Sequence, residues 1–149
     1  MNLLSRRSRL AITAVTDIAL YARPQAVSAK ALAARHDLPP RHLEPVLQAL
    51  VRAAILKGVR GPRGGYELAR ERRRITAGEI VRIAMAAPDE EAPSAVPVSK
   101  LAERVIDPLV AQGIESFLAY LDAVTVEELC ARAQAAGAID IRMPIDFTI

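Results

Sequence analysis

The chain has 149 residues, 52% of them hydrophobic, which is enough for one sizeable core. With no Trp, three Tyr and two Phe, that core is aliphatic and no aromatic ligand cage is expected; the lone cysteine, Cys130, excludes an intrachain disulfide and points to a reducing, cytoplasmic compartment. The net charge of +3 hides a polarity: residues 1–74 carry 15 Lys and Arg against 5 Asp and Glu (+10), and residues 75–149 carry 5 against 12 (−7), as suits a unit that meets phosphates joined to one that does not.

Near the start, Ser5-Arg6-Arg7 ahead of Leu10–Ala22 has the outline of a twin-arginine leader, but Asp17 interrupts the apolar run. Leu10, Ala14 and Ile18, with Ala11 and Val15, instead form the stripe of an amphipathic helix, and no stretch is long and charge-free enough to span a membrane. Arg23-Pro24-Gln25 breaks the pattern. Ser28 is an N-cap for a short helix, Ala29–His36, which Asp37-Leu38-Pro39-Pro40 stops, and Pro40 is suited to open the next helix. From Arg41 to Ala53, Leu43, Val46, Leu47 and Leu50 recur at helical spacing and leave Arg41, His42, Glu44, Gln48 and Arg52 on other faces, while Pro45 should distort the first turn. Ile55–Val59, the turn Gly61-Pro62-Arg63-Gly64-Gly65 and Tyr66–Leu68 predict a β-hairpin flanked at its tip by Arg60 and Arg63, with Gly64 and Gly65 allowing the backbone to approach a surface closely.

After the charged linker Arg70–Arg74, Thr76 and Glu79 form a capping box leading into Ile80–Met85. Residues 86–99, with Pro88, Pro93, Pro97 and Asp89-Glu90-Glu91, read as an exposed loop. Lys100–Leu121 predicts a long helix with more apolar surface than a small domain needs, at Leu101, Val105, Leu109, Ile114, Phe117, Leu118 and Leu121; Pro108 and Gly113 should bend or loosen it. Thr125 and Glu128 make a second capping box for a final helix over Val126–Ala136, with Gly137 as its C-cap. The predicted fold is therefore mainly α with a small β-hairpin wing: a winged helix-turn-helix over residues 1–85, a loop over 86–99, dimerisation helices over 100–136, and a tail over 137–149 without assigned structure.

The order of short helix, turn, second helix and basic hairpin across residues 28–69 gives each part a task on double-stranded DNA. A helix fits the major groove, where Arg41, His42, Glu44, Gln48 and Arg52 supply polar side chains. The hairpin tip, Arg60-Gly61 with Arg63-Gly64-Gly65, can reach the minor groove or phosphates, and Ser28 and Lys30 sit where a helix N-terminus favours phosphate. An enzyme is not indicated: there is no Ser/His/Asp context and no phosphate loop before a helix, and two His with one Cys are too few for a catalytic metal centre.

Leu38-Pro39-Pro40-Arg41-His42-Leu43-Glu44 and Val59-Arg60-Gly61-Pro62-Arg63-Gly64-Gly65-Tyr66 closely resemble the recognition helix and wing of the IscR, NsrR and CymR family, and the Arg-Gly-Pro-x-Gly-Gly-Tyr wing is quite specific. Val27–Ala33 and Ile75–Ile80 match as well, and Asp107-Pro108-Leu109 and Val124–Leu129 more loosely. The resemblance implies a homodimer whose long C-terminal helices cross, reading a palindromic operator as a transcription regulator of the repressor type. It places Glu44 and Gln48 toward bases and Arg60 in the minor groove, with Tyr66 packing the wing.

Many members of that family hold an iron–sulfur cluster through three cysteines between the helix after the wing and the dimerisation helix; residues 86–99 contain none, so no cluster of that kind, no metal and no other cofactor is expected. Cys130, on an apolar face with Val126, Leu129 and Ala133, reads first as a small buried hydrophobe. Two rival readings are a redox- or metal-responsive regulator using Cys130, His36, His42 or loop carboxylates, and a winged-helix protein-interaction module that does not bind DNA.

Overall fold

The computed structural model describes residues 4–87 and 99–139, so the greater part of the predicted loop and tail lies outside the described residues. The first helix, α1 (Arg6–Tyr21), begins where the Ser5 hydroxyl accepts the Ser8 N–H at 3.1 Å, and it buries Ala11, Ala14, Val15 and Ile18. In α2 (Ala29–Arg35) the Ser28 hydroxyl accepts from Ala31 N–H, and in α3 (Pro40–Arg52) Pro40 takes the first helical position, where its missing N–H costs nothing. α3 runs through Pro45 without a break; the ring lies on the exposed face, where water can serve the Arg41 carbonyl that Pro45 cannot bond.

Two short strands follow, β1 (Leu56–Val59) and β2 (Gly65–Leu68), paired antiparallel with Leu56 opposite Leu68 and Val59 opposite Gly65. A tight 3-10 turn at Arg72–Arg74 leads to α4 (Ala77–Ala86), capped by the Thr76 hydroxyl on Glu79 N–H. The Glu79 carboxylate, which the capping-box pattern would turn back on its own helix, instead receives Arg70 at 2.6 Å.

The long C-terminal helix is loosened at one of the two places expected. A single π turn, Ala102–Ile106, precedes α5 (Asp107–Asp122), and Asp107 N–H reaches back to the Ala102 carbonyl. Pro108 would press its ring on the carbonyl four residues behind it, and the wider turn relieves that clash. Gly113 interrupts nothing. α6 (Val126–Ala135) starts on the Thr125 hydroxyl and ends in a Schellman motif, with Gly137 at φ +63° and Ala138 N–H on the Ala133 carbonyl.

α1 is the scaffold, in contact with α3, α4 and α6, and the core it organises includes Leu43, Leu47, Leu50, Ile75 and Ile80 together with Val126 and Cys130. α6 therefore packs back on the winged unit. Leu118, expected at a dimer interface, is buried inside the single chain and is corrected to the core between α4 and α5. Arg82 and Asp122 form a two-pronged ion pair across the same seam, and the Arg82 hydrogen bond holds the Asp122 carboxyl below its usual range.

Gly64 and Gly65 lie against the chain's own backbone. A Cβ on Gly65 would stand 2.3 Å from the Val27 carbonyl oxygen, and one on Gly64 2.3 Å from that of Val59, so both positions are small because the chain's own backbone occupies the space. Gly65→Ala should cost about 1–3 kcal/mol by forcing the wing off the Val27 segment, read as a lowered urea midpoint. An unchanged midpoint would mean that the wing can shift without loss.

Candidate nucleic-acid interface

The apolar stripe of α3, Leu43, Val46, Leu47 and Leu50, faces the core, which dictates what the opposite side shows to solvent. Arg41, Glu44, Gln48 and Arg52 fall three or four residues apart along one exposed face, with His42 beside them, its Nε2 3.5 Å from Arg41 Nε. Sequence periodicity located this set, and the structure brings it to one surface.

The wing is fastened next to that surface. Val27 N–H donates to the Tyr66 carbonyl at 3.0 Å and Tyr66 N–H to the Val27 carbonyl at 2.8 Å, so β2 borrows one residue from the segment immediately before α2. Tyr66 is half-buried against the core, a packing residue as expected. Gln48 and Val51 of α3 and Val59, Arg60 and Tyr66 of the wing line one groove, which places the middle of the helix and the base of the hairpin tip side by side.

At the tip, Gly64 N–H closes a turn on the Gly61 carbonyl at 2.9 Å, leaving Arg60, Gly61, Pro62 and Arg63 exposed. Gly61 has φ +115° and nothing within 4 Å of where a Cβ would stand. Its side faces open space, so an outside surface can approach the backbone there.

Ser28 uses its hydroxyl as the cap of α2, whereas Lys30 in the first turn is exposed. Among the described residues Lys30, Arg52, Arg60 and Arg63 take part in no ion pair, while Arg35, Arg70, Arg73, Arg82 and Arg132 are held by carboxylates. These four cations leave unneutralised charge on the wing tip, α3 and the start of α2, where it is available to a polyanion.

The other candidates lie elsewhere. Cys130 is 2% exposed in the core, and burial pushes its thiol above the usual range despite the hydrogen bond from Arg72. Leu101, Val105, Leu109 and Ile114 are exposed along the π turn and α5, Phe117 and Leu121 are half-buried, and Leu118 is the core residue described above. Sequence reasoning gave no role to a cluster under the helix-turn-helix: buried Asp17, whose carboxylate is bonded by Arg35 and His36. A charged residue inside the apolar stripe of α1 was the available signal. Among the described residues no three His, Cys, Asp or Glu side chains gather in a set that could hold a metal ion, and no helix is long and apolar enough to cross a membrane.

Known proteins share this fold. A helix-turn-helix-type transcriptional regulator of Synechocystis sp. is 38% identical over 78 residues, covering 52% of this chain and 53% of that protein. The chain matches about half the length of such curated relatives. Among solved structures, CymR, the global cysteine regulator of B. subtilis, aligns with a TM-score of 0.66 at 26% identity over 89% of this chain and 98% of its own. The IscR of T. potens aligns with a TM-score of 0.68 at 28% identity over 92% of each chain. Residues 4–132 match the Rrf2 family, described as iron-dependent transcriptional regulators, and the chain belongs to that family.

Proposed function

We propose that the protein is a cytoplasmic, sequence-specific DNA-binding regulator that acts as a homodimer on a palindromic operator and represses by occupying it. The observation that carries this reading is the shared surface of α3 and the wing, where Gln48 and Arg60 line one groove beside exposed Arg41, Glu44 and Arg52. Arg41, Glu44 and Gln48 have the donors and acceptors to read base edges in a major groove, and Arg60 and Arg63 reach the neighbouring minor groove or phosphates. Lys30 adds a phosphate contact at the start of α2.

Dimerisation is supported by an unpartnered stripe. Leu101, Val105 and Leu109, with Ile106, Val110 and Ile114, stand exposed at four-residue spacing, Leu101 and Leu109 each at 64%, a contiguous apolar stripe of the kind that marks an interaction surface. Pairing these helices covers the stripe and sets two winged units to read two half-sites.

The iron in the family's description finds no three-cysteine set in this sequence and, among the described residues, no group of His, Cys, Asp or Glu side chains that could hold a metal ion. Thiolates are the usual cluster ligands, and the chain's one cysteine is buried on α6 with its thiol pushed up, the environment of a structural cysteine. We therefore propose an input other than a three-cysteine cluster or a Cys130 thiol switch.

Binding to duplex DNA should weaken steeply with salt, and Arg60→Ala should lower affinity about tenfold or more without unfolding the chain; no binding at low salt would favour the protein-interaction module instead. Gln48→Ala should alter which sequences are preferred more than it weakens binding to arbitrary duplex, whereas uniform weakening would contradict base reading. Replacing both Leu101 and Leu109 with Glu should yield monomers in sedimentation, and a persisting dimer would place the interface elsewhere. Native Cys130 should resist a thiol reagent at neutral pH and react on unfolding; rapid native labelling would restore the thiol-sensing alternative.

A further inference from the structure

Asp17 is a carboxylate 3% exposed in the middle of α1. Arg35 donates to it as a fork, Nε to Oδ2 at 2.8 Å and Nη2 to Oδ1 at 2.5 Å, and His36 Nε2 lies 2.8 Å from the same Oδ2. The Arg35 guanidinium sits 4.2 Å over the Tyr21 ring, one helical turn further along α1. A buried carboxylate survives only with such partners, and an apolar pair of the same volume would fill the space without the desolvation cost. What the fork adds is direction, since a planar guanidinium meets a carboxylate in two bonds only when both are correctly oriented.

The cluster's location says what it orients. Arg35 is the last residue of α2 and His36 its C-cap. Asp37, at φ +50°, then Leu38 and Pro39 turn the chain into α3 at Pro40, and Leu38 N–H is bonded back to the Ala33 carbonyl at 3.0 Å. α2 has seven residues and buries Leu32 and Ala33 within it, a small apolar footing against rotation. The turn is tied to the end of α2, and the end of α2 is tied by Asp17 to the helix that also seats α3, α4 and α6.

We propose that Asp17, Arg35 and His36 are positioning residues for base reading: a buried carboxylate clamp that sets the angle of the helix-turn-helix against its scaffold and so the aim of α3. The inference rests on the reading of α3 as the base-contacting helix. Base contacts need closer registration than phosphate contacts, which carry no sequence information. Loosening the clamp therefore reduces discrimination between sequences and leaves general attraction to DNA in place.

The test uses the full chain, a duplex selected by it from a random pool, and a shuffled duplex of the same length and composition. Arg35→Lys keeps the charge and loses the fork; His36→Ala removes a bond that His36→Gln can replace. Arg35→Lys should lower the ratio of selected to shuffled affinity about tenfold with shuffled affinity within about twofold, and His36→Ala should lower it less, with His36→Gln restoring it. An unchanged ratio in Arg35→Lys and His36→Ala overturns the proposal. So does a parallel loss on both duplexes, or loss of the folded state in Arg35→Lys, since either assigns the cluster to stability alone. If the unsubstituted chain does not discriminate between the duplexes, base reading itself fails and the clamp's role falls with it, a result separable from failure in the variants alone.

Discussion

The architecture depends on how α3 is seated. Leu43, Val46, Leu47 and Leu50 are all at most 4% exposed, and burying each contributes roughly 2 kcal/mol. Turning the helix by one residue swings its faces through about 100°, which would draw aliphatic side chains into water and polar ones toward the core. That constraint fixes the outward face as the one carrying Arg41, Glu44, Gln48 and Arg52. It also explains why Pro45 is tolerated: a lost backbone bond is borne on the wet side of a helix held from the dry side.

With α3 seated, the wing has one place to go. Ile55 is fully buried and receives Ala69 N–H at its carbonyl, so both ends of the hairpin rest at the core while the tip projects. The reciprocal bonds between Val27 and Tyr66 then fasten β2 to the segment that caps α2. Helix and hairpin are consequently bonded into one surface, as the proposed contact with two adjacent grooves requires.

Features decided within a few residues were legible in the sequence. Ser28, Thr76 and Thr125 act as caps because each hydroxyl needs only the N–H three residues on, and Gly137 ends α6 because that position has positive φ. The polar face of α3 followed from helical period alone. What could not be read depended on partners distant in the chain. Asp17 looked like a flaw in an apolar stripe because Arg35 lies 18 residues away. That Gly64 and Gly65 also have no room for a Cβ could not be read, because the carbonyls in the way belong to Val59 and Val27. Leu118 had the spacing of the exposed stripe, and only the packing of α4 on α5 separates it from Leu109 and Ile114.

The charge split along the sequence suggests two independent halves, but the backbone joins them. Ala77 N–H donates to the Val124 carbonyl and Val126 N–H to the Ile75 carbonyl, each at 2.8 Å, so the corner between α5 and α6 is bridged to the residues that open α4. Arg82 and Asp122 span the same seam from their side chains, and α6 closes the core beneath α1. Surface ion pairs contribute little to stability, and it is the buried backbone bonds and the aliphatic contacts around Ile75 and Val126 that hold the corner. The basic half and the half carrying the exposed apolar stripe are therefore joined by backbone bonds and a shared core at this corner.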